Sequence, residues 1–176
     1  MPTRPITCGN CSRAVAAEVV AGGGTSGSTA WLKCPHCGEG SVRLQSGAVF
    51  PPAPAGGTVQ HLPGDVAAAW REVRTAHAVA AYTASEIMCR KILMHLAVDK
   101  AQAQEGKSFA SYVDALDTAG YIAPGLKPVV DVIRTRGNGA THELAASTED
   151  DSMRTLGIVE HLLRTMYELP GLTPTS

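Results

Sequence analysis

Two groups of residues have the types and spacing to do chemistry. The first is Cys8, Cys11, Cys34 and Cys37, which stand as C-G-N-C and, 22 residues on, as C-P-H-C-G. A C-x-x-C turn aims two sulfurs at one point. Two such turns supply four thiolates for a tetrahedral ion, the usual arrangement of a structural zinc site. Four thiolates leave no open position for water, so one structural Zn2+ is expected and a catalytic zinc is not. The spacer exceeds the common ~15–20 residues, and the Gly- and Ser-rich stretch Gly22–Ser28 is where the excess would loop out. Gly9 and Gly38 are expected to relieve the turns where unusual dihedrals arise. Paired disulfides or a thioredoxin-like role are the alternatives, disfavoured by the absence of a leader pattern and of a βαβ pattern. His36, inside the second turn, reads as a solvated residue rather than a ligand. Cys89, among Ile87, Met88 and Ile92, reads as a buried small hydrophobe.

The second group lies in Ile133-Arg134-Thr135-Arg136-Gly137-Asn138-Gly139-Ala140-Thr141-His142-Glu143. Arginines close one helical pattern, histidine opens the next, and a Gly-Asn-Gly turn stands between. Arg holds phosphate bidentately and His moves a proton near neutral pH. Together they form a minimal set for cleaving a phosphodiester without metal. Arg136 or Arg134 would be the phosphate clamp, His142 the acid/base and Asn138 an orienting group. The plainer alternative is that Asn138 and His142 bond exposed helix ends and Arg136 neutralises a carbonyl end.

The elements that must position these groups follow from periodicity. Val15–Ala21, Thr29–Lys33 and Ser41–Phe50 read as three strands of a zinc ribbon over residues 1–50. A unit this small buries little core, so metal would supply much of its folding free energy. Residues 51–64, beginning PPAPAGG, contain Pro and Gly but no Lys or Arg, and read as a linker. Residues 65–171 read as a helical bundle, with 172–176 as a tail. Asp65 is a candidate N-cap for a long helical run to about Lys100, with a break near Tyr82–Ser85. Its stripe runs Val66, Trp70, Val73, His77, Ala80, Ala84 and on through Ile87, Met88, Ile92, Leu93 and Leu96. Ser108 opens a shorter helix stopped by Gly120, and Pro128 opens a third. Thr148-x-x-Asp151 is a capping-box variant that starts the last helix, which Pro170 ends. The fold class is therefore mainly α, a helical bundle behind a small β zinc-ribbon domain.

Composition narrows the function. Net charge is -1, and no run approaches ~18 apolar residues, so neither a membrane partner nor a basic nucleic-acid tail is expected. Met1–Asn10 has no basic and apolar leader pattern, so the cytoplasm is the expected compartment. Residues 1–50 hold four Lys/Arg and two Asp/Glu, a net of +2, while residues 65–176 hold eleven and fourteen, a net of −3. Four thiolates around Zn2+ add about −2 and bring the first module near neutral. Neither module suits strong non-specific binding to a polyanion.

The second domain resembles domain-of-unknown-function family 4145. The resemblance runs over about Pro63 to Gly171. It is carried by Ile133, Arg134, Gly137, Asn138, Ala140 and His142, with Thr141 departing from the usual Ala. Ser85–Leu93 is similar to an Arg-bearing family helix, and Met166-Tyr167-Glu168-Leu169-Pro170 is similar to the family's ending. That family resembles the HEPN superfamily of helical bundles, many of which are metal-independent ribonucleases with an R-x(4–6)-H motif and a dimeric cleft. Arg136 to His142 fits that spacing and Arg134 does not, although Arg134 matches the narrower pattern. The resemblance implies a HEPN-like bundle, homodimerisation through it, RNA as substrate, and a phage or bacterial defence or counter-defence setting. The alternative is a non-catalytic module binding nucleic acid or a protein partner.

Overall fold

The computed structural model describes residues 1–23, 28–130, 133 and 146–172. The chain forms two compact units, Met1–Pro54 and Ala55–Ser176.

The first unit is one antiparallel sheet with strands in chain order: β1 (Thr3–Thr7), β2 (Ala14–Gly22), β3 (Ala30–Lys33), β4 (Gly40–Arg43) and β5 (Val49–Phe50). β2 and β3 fall where alternation predicts them. The expected third strand is two, because residues 44–48 turn back: Leu44 N–H donates to Ala48 at 2.8 Å, and Gly47 takes φ 91. Positive φ is where glycine's missing Cβ matters. β1 carries Pro5, which hides its strand character. An edge strand tolerates proline, and β1 pairs on one side only. Strand alternation puts Ile6, Ala17, Ala30 and Leu32 in a small core, with Val15, Val19 and Val49 packed against it.

Both aromatic residues of this unit point away from that core. Trp31 pairs with Val42, and Val42 with Phe50, so the three form one row across the outer face. Trp31 is 57% and Phe50 52% exposed.

The second unit is mainly α-helical: α1 (Gly64–Ala78), α2 (Tyr82–Ala101), α3 (Phe109–Thr118) and α4 (Glu149–Leu163). The last continues through a π-helical turn (Arg164–Glu168) into α5 (Leu169–Gly171). Residues 127–130 are also helical. α2 packs against α1, α3 and α4. The core includes Trp70, Val73, Leu93, Leu96, Leu116 and Leu163.

The long helical run breaks at 79–81, just before the expected place. Ala81 N–H donates to Ala76 and Ala80 N–H to His77, with Ala80 at φ 62. This is a Schellman stop built on alanine where glycine is usual, so the sequence does not announce it. The stripe accordingly holds through His77 and then shifts, leaving Ile87 61% exposed. Asp65 is not the N-cap: Pro63 occupies that position, and the Asp65 carboxylate accepts its neighbour Val66 N–H. Ser108 and Thr148 do cap α3 and α4, accepting from Ser111 and Asp151 N–H. The helix runs past Pro170. The preceding π-helical turn widens the backbone where proline removes a donor and crowds the carbonyl four residues back.

The stretch 55–62 lies against the helical unit. Val59 is buried in its core, with Ala55 and Leu62 packed alongside. Among the described residues no helix is long and apolar enough to cross a membrane.

Candidate metal centre and the positions of the Arg/His motif

The two cysteine turns have the same backbone. Cys8 N–H donates to Arg13 and Ser12 N–H to Cys8; Cys34 N–H donates to Glu39 and Gly38 N–H to Cys34, all at 2.9 Å. The fifth residue of each turn is left-handed, Ser12 at φ 57 and Gly38 at φ 79. Gly38 thus has the role expected of it. Gly9 has another: a Cβ there would lie 2.2 Å from the Pro51 carbonyl oxygen, so glycine is required by close backbone approach.

These turns converge four sulfurs within 4.8 Å of one another. Cys8 and Cys37 Sγ are 3.7 Å apart, Cys11 and Cys34 Sγ 3.8 Å. A tetrahedron with Zn–S of ~2.3 Å has sulfur–sulfur edges of about 3.8 Å. Disulfides need about 2.05 Å, and all five cysteines are free. Donor type, number and spacing therefore fit a single structural Zn2+. Cys8 and Cys34 are buried, and Cys11 and Cys37 half-buried.

The local field sets which sulfur ionises first. The backbone N–H of Glu39, then the Asn10 side chain, bring Cys37 down to about 6, against the opposing effect of burial. At Cys11 the Arg13 backbone N–H acts downward, but burial and the three neighbouring sulfurs outweigh it and push the thiol up to about 11. His36 is exposed, with Nδ1 3.4 Å from the Arg13 guanidinium, and is not among the converging ligands.

In the helical unit, burial pushes the Cys89 thiol well above its ordinary range, with Glu86 adding to the effect. His77 is also a core residue: Nδ1 lies 2.9 Å from Ser152 Oγ, and its ring meets Tyr82 at 5.2 Å. Glu149, Asp150 and Asp151 form the first turn of α4, where negative charge complements the helix dipole.

Arg134, Arg136, Asn138 and His142 lie outside the described residues. Residues on either side of them meet α2. Arg90 sits over the Phe109 ring at 4.2 Å and donates to the Ile133 carbonyl at 3.5 Å, a long contact. Glu86 accepts from the Ser147 hydroxyl and from Thr155 Oγ1, and Thr83 Oγ1 accepts Ser147 N–H at 3.0 Å. Glu86 and Arg90 are one turn apart, a spacing that places them on one helix face. Sequence pattern alone gave no role to Glu86 or Thr83. An open cavity of about 440 Å³ lies alongside, lined by Val129, Ile133, Asp151, Arg154, Thr155 and neighbours.

The fold and the cysteine cluster define a two-unit protein, a metal-binding sheet followed by a helical domain. Comparison with known families matches residues 71–175 to one described as a domain of unknown function (DUF4145), and the chain belongs to that family. No curated protein and no solved structure matches the chain.

Proposed function

We propose that this protein is a zinc-stapled interaction module, in which the sheet unit is a zinc ribbon and acts by binding. The observation that carries this reading is the outward row Trp31, Val42 and Phe50 on a unit whose four thiolates close the metal shell. A unit with so little core gains most by burying its aromatics, so two on the outside point to a contact surface. Near-neutral charge with zinc bound favours a protein partner over a polyanion. The test is capture of partners by the zinc-loaded chain and by Trp31→Ala, beside shift assays with RNA and DNA at low salt. Loss of a protein partner in Trp31→Ala supports the reading. A strong, salt-dependent nucleic-acid shift unaffected by Trp31→Ala contradicts it.

A second reading is favoured by Glu86, Thr83 and Arg90, whose contacts hold the chain on both sides of the Arg/His segment. In it the helical unit is a HEPN-like, metal-independent endoribonuclease of a phage or bacterial system. Arg136 or Arg134 clamps phosphate, His142 serves as acid/base, Asn138 orients, and a homodimer pairs two motifs. Incubation with mixed RNA in chelator tests it. Cleavage by the wild type that His142→Ala abolishes supports it; cleavage retained by His142→Ala removes the assigned role.

A further inference from the structure

The chain before α1 has no regular secondary structure from Ala55 to Gln60, yet side chains bond its backbone almost continuously. Arg74 Nε donates to Ala55 O at 2.7 Å and its Nη2 to Gly56 O at 3.1 Å. Trp70 Nε1 donates to Gly57 O at 3.2 Å, and Gly57 N–H donates to Glu160 at 2.8 Å. Arg164 donates to Thr58 O at 3.2 Å, and Gln60 N–H donates to Glu168 at 3.0 Å. The same Arg164 bonds Glu160 and Glu168, at 2.9 and 2.8 Å, so the reading groups are themselves fixed.

This is how proteins recognise a peptide through its backbone: main-chain groups give affinity and a few pockets give selectivity. The selectivity here is also visible. Gly56 stands at φ 65, where glycine is favoured, and a Cβ there would meet Leu156 at 2.6 Å; a Cβ at Gly57 would meet the ends of Arg164 and Glu160 at 2.4 and 2.5 Å, crowding two of the groups that bond the strap. Two positions on, Val59 is the buried anchor, 7% exposed. Residues 51–63 contain no charged side chain other than what His61 contributes on protonation. The ligand is thus a neutral backbone, and the groove supplies all four charged groups. The family match begins at 71, which leaves this segment outside it and most of the groove inside.

We propose that the face formed by α1 and the end of α4 is a peptide-binding groove for a bent Gly-Gly-x-aliphatic segment, filled in this chain by its own residues 55–60. When that strap leaves, the same segment of a second copy is the matching occupant.

The test uses the full, zinc-loaded chain carrying Gly57→Val, whose branched side chain is expected to displace the Arg164 and Glu160 ends that hold its own strap. The probe is a labelled synthetic peptide with the sequence of residues 52–62, followed by fluorescence anisotropy. The variant is expected to bind it saturably at one peptide per chain. Binding is expected to be at least about tenfold weaker for wild type, whose groove is filled, and for a peptide with valine at the Gly57 position. No binding by a helical, folded variant overturns the proposal, as does equal binding by wild type. Should Gly57→Val lose its helical signal, hydrogen exchange of the wild type decides. Gly57 and Gln60 amides are expected to exchange at least about tenfold faster than those of central α1, showing the strap opens by itself. Exchange of all of them at one common rate would mean the strap leaves only on unfolding, and would overturn it.

Discussion

Replacing Gly9 by alanine separates two reasons for glycine in a metal knuckle. Its new Cβ would lie 2.2 Å from Pro51 O, 2.7 Å from Pro51 C and 2.9 Å from Pro52 O. Ordinary carbon–oxygen contacts are about 3.3 Å or more, so Pro51–Pro52 must retreat by about 1 Å. Overpacking costs about 1–3 kcal/mol where side chains can yield, and here only backbone faces the new methyl. The upper end, about 3 kcal/mol, is expected. With zinc binding coupled to the folding of so small a unit, the expected outcome is a loss of about a hundredfold in zinc affinity. Gly38→Ala differs: nothing lies within 4 Å of its Cβ, and only φ +79 opposes it. Left-handed strain of about 1–2 kcal/mol predicts a loss of about five- to thirtyfold. Ser12→Gly, at the equivalent left-handed position, is expected to tighten binding severalfold. Competition against a chromophoric zinc chelator, with Trp31 fluorescence reporting the sheet, measures all three. Gly9→Ala binding zinc as tightly as wild type, or better than Gly38→Ala, refutes the reasoning.

Other consequences are equally direct. The folded Cys37 value of about 6 lies below the ordinary 9.0. Its contribution is therefore full above about 9 and lost as pH falls through about 6. Zinc retention should fall as pH drops, because protons compete for all four thiolates, and Asn10→Ala, which removes a bond that lowers Cys37, should move release to higher pH, read by zinc indicator against pH. Alkylation at pH 8 after chelation should label Cys8, Cys11, Cys34 and Cys37 and spare Cys89, whose thiol burial keeps protonated; mass mapping checks this. Ala80→Gly should stabilise the helical unit by up to about 1 kcal/mol by relieving a left-handed alanine, measured by denaturant unfolding. Thr148→Ala should destabilise it by about 1 kcal/mol through loss of the α4 cap, in the same assay.

What could be read beforehand was what short-range chemistry dictates. C-x-x-C spacing carries its own geometry, so the metal cluster was legible to the residue. The caps Ser108 and Thr148 were legible for the same reason: each depends on a neighbour three positions away. Features set by distant contacts were not. Gly9 is glycine because Pro51 approaches it, and nothing near Gly9 says so. Residues 55–60 read as linker because their partners, Arg74, Glu160, Arg164 and Glu168, are charged and far along the chain. The alanine stop at Ala80 and the proline-bearing strand β1 break the usual residue preferences, and tertiary packing overrides local propensity there. Glu86 and Thr83 gained significance only once Ser147 was seen beside them.

The central claim is that four thiolates hold one structural Zn2+ that folds the sheet unit. Native mass spectrometry of the chain, purified without added metal or chelator, tests it most directly. The account predicts one zinc per chain, with protons displaced on binding. A metal-free mass four hydrogens lighter than the reduced chain, marking two disulfides, would contradict it.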